Sequence, residues 1–147
     1  MNIIATTETL TISRLIKASR ARVFAAWTTP ELAQWLCTGE RQVISAKVDF
    51  RVGGEYNIHL KTANHGEHKF SGAYREIKEP SRIVFTWVLG DCDPEFKDHP
   101  TQVTVDFEEQ KGGTLVTLTH EGLPTSEIRE KHSGGWNYSL DNLEQLV

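Results

Sequence analysis

The chain has 147 residues, 38% of them hydrophobic and 24% charged, with a formal net charge of -4. That length suits one domain over residues 1–147 with a sizeable core, and the composition excludes a disordered chain. A mildly acidic chain without a Lys/Arg-rich run is a poor candidate for sequence-independent nucleic-acid binding, and attraction to anionic membranes is not implied. No apolar run approaches the ~18 residues of a membrane-spanning helix.

Residues 1–11 hold no basic region followed by an apolar stretch, so no secretion signal is expected. Cys37 and Cys92 lie far apart in sequence and form no disulfide framework. Both facts point to reduced thiols in a cytoplasmic protein.

Residues 10–17 alternate apolar Leu10 and Ile12 with Thr11 and Ser13, which predicts a first strand. Ser19 suits the N-cap of a short helix whose apolar face carries Val23, Phe24 and Trp27. Thr29-Pro30-Glu31 then starts a second short helix, with Leu32, Trp35 and Leu36 as its stripe.

The period changes to two after that point. Residues 41–48 read as a strand, and Gly53-Gly54 as a turn or bulge. Tyr56, Ile58 and Leu60 alternate with polar residues, as do Phe70, Gly72 and Tyr74. Ile83, Phe85, Trp87 and Leu89 form the apolar face of the next strand. Val103, Val105 and Phe107 follow, then a hairpin turn at Lys111-Gly112-Gly113, then Val116, Leu118 and His120. These strands succeed one another through mostly short turns, which predicts an antiparallel meander apolar on one face.

The sheet needs one covering partner, and the C-terminal segment supplies it. Trp136, Leu140, Leu143 and Val147 recur at helical spacing. Gly134-Gly135 is expected to soften or break that helix, each glycine costing about 1 kcal/mol relative to alanine. Residues 90–100 form the longest irregular stretch and read as a mobile lid or a plain surface loop.

The predicted fold class is therefore α+β, a curved antiparallel sheet wrapped around a long C-terminal helix, with two short helices after the first strand. This order is that of the helix-grip fold. Several segments also resemble a known family: Trp27-Thr28-Thr29-Pro30-Glu31-Leu32 with Trp35, Gly53-Gly54-Glu55-Tyr56, the stretches 72–77 and 80–87, 113–120, and Gly135-Trp136 with Leu140 and Leu143. Together they resemble the bacterial branch related to the Hsp90 ATPase activator C-terminal domain (AHSA-like). That branch lies in the START-like, or SRPBCC, superfamily, which also contains the Bet v 1 allergens. The resemblance implies the helix-grip fold over residues 10–147. The functions it implies spread from lipid and polyketide binders to cyclases, self-resistance proteins and chaperone cofactors.

The chemistry-bearing residues narrow that range. His59, His65, His68, His99, His120 and His132 show no paired spacing for a metal, so no metal site and no cofactor are expected. There is no Gly-x-Ser-x-Gly, and Cys37 reads as a small buried hydrophobe without a paired base. None of the glycine pairs has phosphate-loop spacing. No catalytic set is thus recognisable.

Aromatic residues are more informative. Trp27, Trp35, Tyr56, Phe70, Tyr74, Phe85, Trp87, Phe107 and Trp136 fall on inward positions. They either fill the core or line a cavity between sheet and helix. His120 occupies the inward register of the last strand and needs a hydrogen-bond partner. A Tyr or backbone group would satisfy it, or it would orient a ligand or act as acid–base. By parity Glu76 points inward and Arg75 outward.

The leading expectation is a non-enzymatic binder of a small hydrophobic or aromatic molecule. Tyr56, Tyr74, Trp87, His120 and Trp136 are expected to line its site, with Trp35 at the mouth. A protein partner, in a role resembling chaperone ATPase co-regulation, is the second expectation. A cyclase or hydrolase using His120 is the third. Monomer and homodimer both fit the sequence. A cavity of about 300 Å³ or more would favour a small-molecule binder. A filled core with a contiguous exposed apolar patch would favour a protein partner.

Overall fold

A computed structural model of the chain describes residues 7–36, 41–62, 66–91 and 93–147. Cys37, Cys92 and His65 lie outside the described residues. In chain order the elements are β1 (Glu8–Ile16), α1 (Arg20–Thr28), α2 (Leu32–Trp35), β2 (Arg41–Val48), β3 (Glu55–Thr62), β4 (Gly66–Lys78) and β5 (Arg82–Val88). Two 3-10 turns, Leu89–Asp91 and Pro94–Phe96, precede β6 (Pro100–Gln110), β7 (Gly113–Leu123) and α3 (Ser126–Leu146).

The strands form one antiparallel sheet in the order β1-β7-β6-β5-β4-β3-β2. The meander runs from β2 to β7, as the alternation predicts. β1 then joins beside β7, with Leu10 opposite His120 and Ile16 opposite Thr114. The apolar face is continuous across strands, because paired residues such as Val105 and Leu118, or Phe107 and Val116, share a side. α3 covers that face with buried Trp136, Leu140 and Leu143. This is the helix-grip arrangement.

The caps follow local chemistry. The Ser19 hydroxyl accepts from the Arg22 N–H at 3.2 Å and starts α1. Thr125 does the same for α3 through the Ile128 N–H at 3.1 Å. Glu31 does more than favour a helix start. Its carboxylate takes two hydrogen bonds from the Arg22 guanidinium, at 2.6 and 3.0 Å, and so clamps α2 to α1.

α3 runs unbroken through Gly134-Gly135, so the helix is not broken into two pieces there. Packing on the C-terminal side, through Trp136, Leu140 and Leu143, outweighs weak intrinsic propensity. Arg14 of β1 adds bonds to Asn137, at 3.0 Å, and to Asp141. A Cβ at either glycine would meet nothing within 4 Å. Gly134→Ala and Gly135→Ala are each expected to raise unfolding free energy, by up to about 1 kcal/mol, in urea titrations.

The 90–100 stretch is tied down at several points among its described residues. Asp93 pairs with Lys131 of α3 at 3.0 Å, Ser71 donates to Asp91, and the His99 ring meets the Gly122 carbonyl at 2.6 Å.

One expectation fails at a bulge. The β4–β5 register shifts between Tyr74 and Glu76. Ile77 therefore takes the inward place opposite Ile83, and Glu76 faces outward opposite Val84. There its carboxylate lies 3.9 Å from Arg82, which holds Asp106 at 2.7 Å.

Candidate functional site

The inner face of β3, β4 and β5 meets α1, α2 and α3 in a layer of rings. Tyr56 contributes from β3, Tyr74 from β4, Phe85 and Trp87 from β5. Trp27 and Trp136 close the layer from α1 and α3. Trp27 stacks on Trp136 with centroids 6.1 Å apart, and Trp87 sits 4.9 Å from Trp136. Tyr56 meets Phe85 edge-on at 5.6 Å and Tyr74 at 5.7 Å. These rings, with Leu32, Leu36 and Ile83, surround a cavity of about 10 Å³. That is room for about one water, far below the several hundred Å³ of a standing ligand pocket.

Of the residues expected at a site, Tyr56, Tyr74, Trp87 and Trp136 lie on the cavity wall. Trp35 does not. It is fully buried beside Trp27, with ring centroids 4.6 Å apart, and its indole N–H donates to the Ala26 carbonyl at 2.9 Å. It therefore pins α2 to α1 and marks no mouth. The helical stripe was read correctly for side but not for depth.

His120 is also off the wall. The Trp136 indole N–H donates to its Nδ1 at 3.1 Å, and its Nε2 lies 3.1 Å from the Thr101 hydroxyl. An indole N–H only donates, so Nδ1 accepts and the proton sits on Nε2. Nε2–H then donates to Thr101, whose hydroxyl donates to the Trp87 carbonyl. The chain from Trp136 to Trp87 is fully satisfied and leaves no ring nitrogen for a ligand. Burial pushes the His120 imidazole down to about 3, with the nearby His132 adding in the same direction. It is neutral at physiological pH, and its partners are an indole and a hydroxyl rather than a carboxylate. The orienting and acid–base expectations for His120 give way to a positioning role: it sets the angle of the Trp136 ring.

The expected site left out Leu32, Leu36 and Ile83, and also Trp27 and Phe85, which the sequence places inward without assigning them to the wall. Ile83 and Phe85 share the parity of Trp87, a signal that was available. Trp27 and the two leucines needed the packing angle of the short helices.

Three wall residues carry polar atoms that find no hydrogen-bond partner among the described residues. These are the Trp27 and Trp87 indole nitrogens and the Tyr74 hydroxyl. Burial, then the charge of Asp49, pushes the Tyr74 phenol above its usual range, so it stays a neutral hydroxyl. No group of His, Cys, Asp and Glu among the described residues could hold a metal ion. No helix among them is long and apolar enough to cross a membrane.

Comparison with known proteins adds the family context. The family model described as Activator of Hsp90 ATPase homolog 1-like protein matches residues 17–147. Among solved structures, one from Rhizobium leguminosarum is 30% identical, with TM-score 0.77 over 97% of this chain and 95% of that one. A protein from Chromobacterium violaceum is 28% identical, with TM-score 0.78 over 95% of this chain and 97% of the other. The AHSA1 protein from Silicibacter pomeroyi is 25% identical, with TM-score 0.79 over 94% and 96%. A search of curated proteins finds no match.

Proposed function

The chain belongs to the Activator of Hsp90 ATPase homolog 1-like family, and from that premise we propose that it binds a small hydrophobic or aromatic molecule between sheet and C-terminal helix. The observation that carries this reading is the convergence of Trp27, Tyr56, Tyr74, Phe85, Trp87 and Trp136 on one cavity. At about 10 Å³ the cavity falls short of the roughly 300 Å³ expected of a standing binding site, so this reading requires it to widen. The means are at hand. Trp35 and Trp136 are held by indole hydrogen bonds, whereas Trp27 and Trp87 have none among the described residues. The latter rings can turn without breaking a hydrogen bond, and the cost of the motion is the ring packing it gives up.

The test is a thermal-shift screen against aromatic and lipid-like molecules. A ligand present at 100 times its Kd should add about 2.7 kcal/mol, a clear rise in Tm. The rise should vanish in Trp87→Leu. No shift across a broad library, in a protein that melts cooperatively, would overturn the reading.

The family description favours one further reading, a contact with an Hsp90-type chaperone. Stimulation of such a chaperone's ATPase by the purified protein would support it.

A further inference from the structure

The solvent face of α3 carries a pattern that its packing on the sheet does not require. Glu127, Lys131, Gly134, Tyr138, Asp141 and Gln145 follow one another at alternating steps of four and three, and all are exposed. Such steps make one straight stripe along a helix. It runs on the side opposite buried Trp136, Leu140 and Leu143. Tyr138 is 44% exposed, and among the described residues it is the exposed large hydrophobic that a helix carries. One turn before it stands Gly134. A Cβ on Gly134 would meet nothing within 4 Å, so no neighbour in this chain calls for a missing side chain. Glycine inside a helix is a weaker choice than alanine, and nothing within one copy of the chain offsets that.

The stripe is complementary to itself. Lay two copies of α3 antiparallel about a two-fold axis midway between Gly134 and Tyr138. Each residue then faces the one equally far from the axis on the other copy. Tyr138 meets the gap that Gly134 leaves, twice. Lys131 meets Asp141, also twice, and Glu127 meets the Gln145 amide. A parallel pairing would instead set Lys131 against Lys131 and Asp141 against Asp141. Lys131 already holds Asp93 at 3.0 Å and Asp141 accepts from Arg14, but their side chains remain 62% and 63% exposed. An ammonium has three donors and a carboxylate about four lone-pair sites, so each keeps room for a second partner.

We propose that the solvent face of α3 is a self-association surface, on which a second copy of this chain docks antiparallel with Tyr138 of each copy seated on Gly134 of the other. The inner face of α3 stays on the sheet, so the contact is independent of the cavity and of what fills it. A single helix pair is a small interface, below about 1,200 Å², and the dimer is accordingly weak and transient. Exposed ion pairs add little affinity, so the work of Lys131 and Asp141 is to fix the antiparallel orientation.

The test is sedimentation velocity of the whole chain from low micromolar to millimolar concentration, at low salt. The parent is expected to pass from monomer toward dimer over that range. Lys131→Asp and Asp141→Lys each set like charges against each other in the antiparallel pair and are each expected to weaken association about tenfold or more. Mixed in equal amounts, the two variants face each other with opposite charges, and the mixture is expected to regain the parent's association. Gly134→Gln fills the gap with a good helix former. It is expected to be at least as stable as the parent in dilute solution and yet to stay monomeric, which a purely structural role for Gly134 would not produce. A parent whose sedimentation does not change with concentration overturns the proposal. Association that survives in Gly134→Gln and in both charge variants also overturns it, since another surface then carries the contact. Charge variants that stay monomeric when mixed overturn the antiparallel pairing on which the proposal rests.

Discussion

Acidification from pH 7 to pH 5 is expected to destabilise the protein by about 2 kcal/mol through His120 alone. In the folded chain burial pushes this imidazole down to about 3, against an ordinary value of 6.5. The unfolded chain therefore takes up a proton as pH falls through 6.5, while the folded chain does not. The stability this neutral histidine contributes is full above about pH 6.5. It is lost at about 1.4 kcal/mol per pH unit as pH falls toward 3. The groups facing His120 bear on this. His132 of α3, with its ring centre 5.2 Å away, is itself lowered, chiefly by burial, and so steepens the loss. Behind it the Asp93 carboxylate raises and the Lys131 ammonium lowers the His132 value. The hydrogen bonds give the same sign. Nδ1 accepts from the Trp136 indole, so protonating it sets two donors against each other.

His120→Gln isolates the effect. Glutamine offers one acceptor and one donor to the same neighbours and does not titrate. At pH 7.5 the variant is expected to be less stable than the parent, because its bonds to Trp136 and Thr101 are less well placed. Urea titrations at pH 7.5, 6 and 5 should show the two proteins converging as the parent loses its advantage. Parallel stability curves over that range would overturn the account.

Much of the architecture could be read before any coordinates, for a specific reason. Period-two alternation reports which side of a strand faces the core, and it held from Tyr56 to Leu60 and from Val103 to Phe107. It fails where one residue is inserted. The bulge at Arg75 turns Glu76 outward, and alternation carries no mark of it. Helical spacing likewise placed Trp35 and Trp136 on inward stripes. It did not report that Trp35 would end in a hydrogen bond to α1, outside the cavity wall. The inward register of His120 was legible. Its partner Trp136 was not, since it comes from the following element. The continuity of α3 through its glycines depends on the sheet beneath it. The cavity volume is the least legible quantity, because it is a small difference between ring positions set by many side chains at once.

Gly72→Ala is expected to cost about 3 kcal/mol or more, through overpacking plus a lost hydrogen bond. Gly72 sits on β4 opposite Tyr56 of β3. A Cβ there would lie 1.9 Å from the Thr86 carbonyl oxygen of β5 and 2.7 Å from the Tyr56 hydroxyl. The first contact is with backbone, which cannot swing aside. β5 must move instead. The close approach is also what the local bonding uses. The Tyr56 hydroxyl crosses Gly72 to donate to the Thr86 carbonyl at 2.7 Å, and the Ala73 N–H bonds the Thr86 side chain at 2.8 Å. Phe85 and Trp87, the wall residues on either side of Thr86, are fixed by these same bonds. Displacing β5 should therefore loosen the cavity wall as well as the sheet. For a domain of this size the loss amounts to a fall in Tm of roughly 10 °C. Tyr56→Phe separates the two contributions. Alone it removes the hydroxyl bond and should cost about 1–2 kcal/mol. In the double variant Gly72→Ala has already broken that bond, so the costs should add to less than their sum. A cost below about 1 kcal/mol for Gly72→Ala, or strict additivity with Tyr56→Phe, would mean that the close approach of β4 and β5 does not depend on the missing side chain.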